Sequence, residues 1–310
     1  MITGSAAGGV PPSAVSGRSQ GARWYSHGYN RAGLYRLAAG LGWLPRTTRL
    51  AMARAVGRLA PRLMPTERVV VRDTLMQVTG IVEPRRLDAL TIRTFTDFAM
   101  CFSDLLSTNR QPAARLAATV ARVEDAERVT KITPPLISLT AHVGNWELAG
   151  RLLAGHTERT THVVVAEEEA RHLDQWVRRD GDGVKFITRS RPTIALELVA
   201  ALRRGEVVAV QGDRALGTRG DAVIPFFGRP APFPLGPFVL ARAVGVPLVP
   251  AFCVLDDSYR YTVKVVEPIV VRRGDEEDAA RAWVASLEDV VRRHPTQWFN
   301  FFDVWHPMAR

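Results

Sequence analysis

From about Leu136 the apolar positions fall into short runs that alternate with amphipathic stretches. Runs rich in Val, Ile and Leu predict strands at Leu136–Thr140, Thr161–Ala166, Val184–Thr188, Val207–Gln211, Val246–Val254 and Tyr261–Val266. Between and after them, helical periodicity appears at Trp146–Ala154, Glu168–Arg178, Thr193–Arg204, Leu235–Val244 and Glu276–Arg293. This alternation predicts an α/β fold, a mostly parallel central sheet flanked by helices. Upstream the period changes. Over 85–108, Leu87, Thr91, Phe95, Phe98, Phe102 and Leu105 recur at spacings of three and four, which predicts a helix with a core-facing stripe. Over Arg49–Leu63, Met52, Val56, Leu59 and Leu63 share one face, and Arg54, Arg58 and Arg62 share the next. That is a basic amphipathic helix, able either to pack on the body or to lie in a lipid interface. A helical N-terminal layer is therefore expected, giving way to the α/β body near 110–135.

Charge sharpens this division. The chain has 310 residues and a formal net charge of +10, and residues 1–66 hold nine Arg, no Lys and no acid. The body is nearly neutral. An arginine-rich segment of this kind attracts anionic lipid or nucleic acid at long range. Residues 1–22, rich in Gly, Ser, Ala and Pro, are expected to be a disordered tail without a secretory h-region. Residues 23–66 are expected to be a membrane-associating segment, and 67–310 a single α/β domain. No apolar run reaches the ~18 residues of a membrane span. The two cysteines, Cys101 and Cys253, suggest neither a disulfide framework nor a metal cage.

The chemistry gathers at the stretch LTAHVGNWELAG, residues 139–150. His142 should leave the carboxyl end of a strand, where open α/β sheets place their sites. Asn145 should cap the following helix, and Glu147 should lie in its first turn, where the macrodipole favours a carboxylate. Glu147 is then placed to hold one imidazole nitrogen while the other acts as a general base. Taken alone, the pair reads equally well as a helix cap beside a turn histidine. It has too few ligands for zinc.

Four separated landmarks decide what the sequence is similar to. They are His142–Glu147, VVAVQGDRALG at 207–217, VIPFFGRPAPFPLGPFVLARAVGVPLVPAF at 223–252, and HPTQWFNFFDVW at 294–305. The first resembles the HxxxxD/E motif of the lysophospholipid/glycerolipid acyltransferase superfamily. Together, from about Val69 onward, they resemble its branch of bacterial lipid A lauroyl and myristoyl acyltransferases and phosphatidylinositol mannoside acyltransferases. The C-terminal ending departs from the lipid A enzymes, which tend to finish in a more basic tract.

The resemblance implies a peripheral membrane enzyme on the cytoplasmic face of the inner membrane. It would move a fatty acyl group from acyl carrier protein or acyl-CoA to a hydroxyl or amine of a membrane glycolipid or phospholipid. No metal or organic cofactor is expected, and no nucleic acid partner. His142 and Glu147 are the catalytic candidates. Gly144, Asn145, Asp213, Arg214, Phe227 and Gly228 are the substrate-side candidates: amides near Gly144 for an oxyanion, Arg214 for an anionic group, and Phe226, Phe227 and Phe233 as walls of an acyl groove in a loop too irregular for strand or helix. Burial against the body is expected for the aromatics of 298–305. Two other readings stay open. One is a lysophospholipase- or thioesterase-type hydrolase, weakened by the lack of a G-x-S-x-G elbow. The other is a non-catalytic protein binding anionic lipid or nucleic acid.

Overall fold

The computed structural model describes residues 40–108, 113–125, 127–128, 133–165 and 183–305. The expected tail, the part of the basic segment before Gly40 and the expected helix at 168–178 lie outside them. The N-terminal layer includes α1 (Arg46–Leu63), α2 (Pro65–Thr79) and α3 (Pro84–Thr108). The short α4 (Ala113–Ala117) leads to β1 (Val120–Glu124) and the body. There follow β2 (Leu136–Thr140), α5 (Trp146–Thr157), β3 (Thr161–Val165), β4 (Val184–Thr188), α6 (Ile194–Arg203) and β5 (Val207–Gln211). The chain then runs through β6 (Asp221–Phe226), β7 (Arg229–Pro234), α7 (Gly236–Val244), β8 (Leu248–Leu255), β9 (Tyr261–Val265) and α8 (Glu276–Arg293).

Seven strands form one sheet in the order β1-β9-β8-β2-β5-β3-β4. Its pairs are parallel except β8–β9, which is antiparallel. The fold is thus α/β with a mostly parallel sheet and a helical N-terminal layer. Every residue of β2 is buried, as a central strand covered on both faces requires.

The proline-rich segment after β5 is a strand pair, not an irregular loop. β6 and β7 form an antiparallel hairpin in which Phe226 pairs with Arg229. Phe227 (φ 48°) and Gly228 (φ 74°) are the two central residues, both left-handed, as a two-residue hairpin turn demands. The prolines obscure the pattern without breaking it. Pro225, Pro230, Pro232 and Pro234 all fall in alternate pairs of the register, the positions that need no N–H donor. The other set, Ala222, Ile224, Phe226, Ala231 and Phe233, is buried in the main core. Two further elements, α2 and β1, carry no clear period in the sequence.

The most informative element is α1. Its apolar stripe does not face the body: Met52, Val56, Leu59 and Leu63 are 42%, 64%, 52% and 81% exposed. Leu50, Ala53, Gly57 and Pro61 are buried instead, and α1 runs along α3. Small residues let the two backbones approach closely. A Cβ on Gly57 would stand 2.5 Å from the Thr96 Cα and 2.8 Å from the Phe95 carbonyl oxygen. Polar clamps complete the contact. Asp104 on α3 takes two bonds from Arg46, at 3.1 and 2.6 Å, and one from Arg49 at 3.4 Å.

Gly57→Val tests this packing. The backbone of α3 cannot yield as a side chain would, so overpacking should cost about 1–3 kcal/mol. That exceeds the few tenths gained in helix propensity over glycine. Thermal unfolding should begin several degrees lower. An unchanged midpoint would mean that α1 does not lie against Thr96.

Candidate active site

The sheet register builds the site. Thr140 of β2 is paired with Gln211 of β5 in parallel, and Gly212 N extends the ladder to the Thr140 carbonyl at 2.9 Å. His142 and Asp213 each lie two residues beyond that pair, so they emerge side by side at the carboxyl edge. Gly212 is tightly enclosed: a Cβ there would meet the Leu139 side chain at 2.9 Å and the Trp283 ring at 3.2 Å.

Asp213 holds the histidine. His142 Nδ1 lies 2.7 Å from Asp213 Oδ1, and the His142 backbone N–H donates to Oδ2 at 3.1 Å. The Trp298 indole N–H also donates to Oδ2, at 3.0 Å, and the Asn300 amide adds a longer contact at 3.4 Å. The Asp213 side chain is wholly buried. Burial pushes its carboxyl up. The charge and hydrogen bond of His142, the nearby Arg214 charge and the Trp298 indole outweigh that and hold it well below the usual carboxylate range. An ionised carboxylate only accepts, so Nδ1 carries the proton, and in the neutral ring Nε2 carries the lone pair. The Trp146 ring packs beside the imidazole with centroids 5.0 Å apart.

This corrects the expected pairing within the HVGNWE motif. Asp213, not Glu147, orients His142. Glu147 is buried in the first turn of α5. The five-residue spacing suggested a partner across the turn, but the parallel strand beside β2 delivers Asp213 directly to the ring.

The loop 142–145 is fully engaged by its own fold. The Val143 N–H donates to the Ala141 carbonyl at 2.7 Å, Gly144 to Gln297 at 2.9 Å and Asn145 to Cys253 at 2.8 Å. The Gly144 amide is therefore not presented to an oxyanion. Gly144 is needed for another reason. At φ 56°, a Cβ would fall 2.0 Å from the Cys253 carbonyl oxygen. Asn145 is the helix cap, its Oδ1 accepting from Leu148 N at 3.1 Å, and its amide reaches the Tyr261 hydroxyl at 3.4 Å. It is 1% exposed, which leaves it structural rather than substrate-facing.

Arg214 is likewise turned to the protein. Its Nε donates to Asn300 Oδ1 and its Nη2 to the Phe299 carbonyl, each at 3.2 Å, and the guanidinium lies over the Phe302 ring. It pins the C-terminal segment over the site. Phe227 and Gly228 belong to the hairpin turn, where Glu288 accepts from Phe227 N and Gln77 donates to its carbonyl at 2.7 Å. Phe226 and Phe233 are core residues, packed edge to face with each other and with Trp298 and Trp283 respectively. The cleft that Phe233 lines beside Asp213 offers only about 10 Å³, too little for an acyl chain.

Sequence reading missed Trp298, Asn300 and Gln297 as parts of the site. They lie more than 150 residues from His142 in the chain. All three lie within the landmark HPTQWFNFFDVW, whose aromatics were expected to be buried, as Trp298, Phe299 and Trp305 are.

The fold and this geometry define an α/β protein with a carboxylate-held histidine at the carboxyl edge of its sheet. The chain belongs to the bacterial lipid A biosynthesis acyltransferase family, whose model matches residues 32–306. It is an acyltransferase. Two phosphatidylinositol mannoside acyltransferases of Mycobacterium tuberculosis, from strains CDC 1551 / Oshkosh and ATCC 25618 / H37Rv, are each 23% identical to it over 243 residues, 76% of both chains. Among solved structures, the 1-acyl-sn-glycerophosphate acyltransferase PlsC from Thermotoga maritima is similar, at a TM-score of 0.39 and 15% identity over 83% of this chain and 100% of that one.

Asp213→Asn should separate Asp213 from Glu147. An amide can donate as well as accept, so it no longer fixes the Nδ1 tautomer, and turnover should fall at least ~100-fold. Glu147→Gln should lose much less. Comparable losses would return Glu147 to the ring. The stability effect has a definite sign. Folding depresses the Asp213 carboxyl, so its contribution is complete above the ordinary aspartate value of about 3.9 and is lost as pH falls toward the folded value. The parent should keep more of its stability advantage over Asp213→Asn at pH 6 than at pH 3, read by denaturant unfolding.

Proposed function

We propose that the protein transfers a fatty acyl group from a thioester, carried on acyl carrier protein or coenzyme A, to a hydroxyl or amine of a membrane glycolipid or phospholipid. The observation that supports this most is the Asp213–His142 hydrogen bond inside a member of a lipid acyltransferase family. The acceptor's own hydroxyl is the nucleophile. His142 Nε2 takes its proton as the oxygen attacks the thioester carbonyl, and Asp213 stabilises the imidazolium that forms. The thiolate leaves as the tetrahedral adduct collapses, and the proton passes to it from His142. Atoms balance without a covalent enzyme intermediate. The similarity to phosphatidylinositol mannoside acyltransferases favours a glycosylated phospholipid acceptor.

Access to such an acceptor is the second part of the proposal. Among the described residues no helix is long and apolar enough to cross a membrane. The protein docks from one side through α1. The exposed Met52, Val56, Leu59 and Leu63, with Trp43 at 86% exposure, form an apolar edge beside an arginine row. Each arginine near an anionic surface contributes about 1 kcal/mol, so a few together hold the protein at the bilayer.

His142→Ala should leave a folded protein that has lost acyl transfer by at least ~100-fold. Near-normal turnover in the purified variant removes the mechanism. Thioester consumption that proceeds equally without lipid acceptor would instead favour a hydrolase.

Changing Arg54, Arg58 and Arg62 together to Gln should release the protein from anionic vesicles in sedimentation. High salt should weaken binding of the parent by screening. Equal binding of parent and variant to anionic and neutral vesicles would place the anchor elsewhere.

A further inference from the structure

A polar cleft opens where α1, α3 and the β8–β9 turn meet. Three guanidinium groups line it: Arg54 and Arg58 from α1, and Arg93 from α3. Tyr259 and Asp257, from the turn, complete its rim. The cleft encloses about 240 Å³. That is somewhat below the ~300 Å³ at which ligand pockets usually begin, and it suits a headgroup rather than a whole lipid.

The three arginines are not equivalent. Arg93 is committed to the buried Asp97 at 2.6 Å and to Asp257 at 3.3 Å. Arg54 and Arg58 pair with no carboxylate among the described residues; the Arg54 guanidinium instead lies 5.4 Å over the Tyr259 ring. Tyr259 reaches that position at φ 60°, the left-handed region that non-glycine residues seldom occupy. Asp256 fixes this turn by accepting from Ser258 N at 2.8 Å and Arg260 N at 2.9 Å. A strained tyrosine that holds one arginine in place is a preorganised arrangement. With Arg58 beside it at the cleft, this gives two guanidinium forks to match the oxygens of a phosphate.

Position identifies the occupant. Along α1, Arg54 and Arg58 adjoin the packed face, while Met52, Val56 and Leu59 stand exposed on the same helix. A lipid whose chains stay with that apolar edge brings its phosphate to the cleft. We infer that the α1–α3 cleft is a binding site for the phosphodiester headgroup of an anionic membrane lipid, separate from the His142 centre. The inference rests on the proposal that α1 meets the membrane. It adds a defined, stoichiometric site to what would otherwise be diffuse attraction.

Arg62 supplies the control. It lies on the same helix and carries the same charge, but it does not line the cleft. Binding of monomeric dihexanoyl phosphatidylglycerol to the full chain is measured by titration calorimetry, below its micelle concentration. Circular dichroism confirms that each variant is folded. The parent should bind one equivalent. Arg54→Gln and Arg58→Gln should each weaken binding at least fivefold, and Arg62→Gln less than twofold. Asp257→Asn should tighten it, since Asp257 places a carboxylate beside the phosphate. Equal losses in all three arginine variants overturn the site in favour of diffuse electrostatics, as does failure of the parent to bind the monomeric probe. Inorganic phosphate bound as tightly as the probe would mark a free-phosphate site and overturn the headgroup assignment. Displacement of the probe by acyl carrier protein would reassign the cleft to an acidic protein partner. Acyl transfer to a soluble acceptor analogue is followed separately: binding without transfer keeps the cleft and removes the catalytic proposal, and transfer without binding does the reverse.

Discussion

The buried carboxylate of Asp213 is the constraint on which the site depends. A wholly buried, ionised group is tolerated only when its lone pairs are satisfied. Four donors meet here: the backbone and ring of His142, the Trp298 indole and the Asn300 amide. They come from the loop after β2 and from the C-terminal segment, while Asp213 itself follows β5. Three distant stretches of chain therefore have to be in place together. The same bonds that neutralise the cost of burial fix the tautomer of the imidazole.

The C-terminal segment closes this arrangement like an added strand. Gly144 N donates to Gln297, and Phe299 N donates to the His142 carbonyl at 2.8 Å. On its other side, Asn145 N donates to Cys253 of β8. The histidine loop is held between the two, and Arg214 locks the segment from above. Rigidity at 142–145 thus engages every amide of the loop, and in the proposed reaction the donors for a developing oxyanion come from other groups.

A second polar network ties the N-terminal layer to this region. Asp104 of α3 takes hydrogen bonds from Arg46 of α1 at 2.6 Å and from the Tyr261 hydroxyl at 3.0 Å. Burial pushes the Tyr261 phenol well up, so it stays neutral and donates. The same hydroxyl is reached by Asn145, the cap beside the histidine loop. The helix with the exposed apolar edge and the loop that carries His142 therefore share one buried carboxylate and one tyrosine between them.

The periodic parts of the fold were legible in the sequence. β2, β4, β5 and α8 fall where their hydrophobic patterns place them, because burial on a strand or helix face imposes a local period. Asn145 was legible as a cap for the same reason: its bond to Leu148 spans three residues. The hairpin was not, since its prolines mask the alternation that only pairing makes meaningful. Nor was the partner of His142. Sequence proximity favoured Glu147, whereas the parallel register of Thr140 with Gln211 put Asp213 against the ring. The amphipathic pattern of α1 was plain, but not which side it would bury. Gly57 lets the small-residue face meet the α3 backbone more closely than Met52 or Leu59 would permit, and so the apolar stripe stays outside. Local periodicity fixes which residues share a face; which face is covered, and which side chains meet across strands, depends on close approach between segments far apart in the chain, and only the tertiary structure decides that.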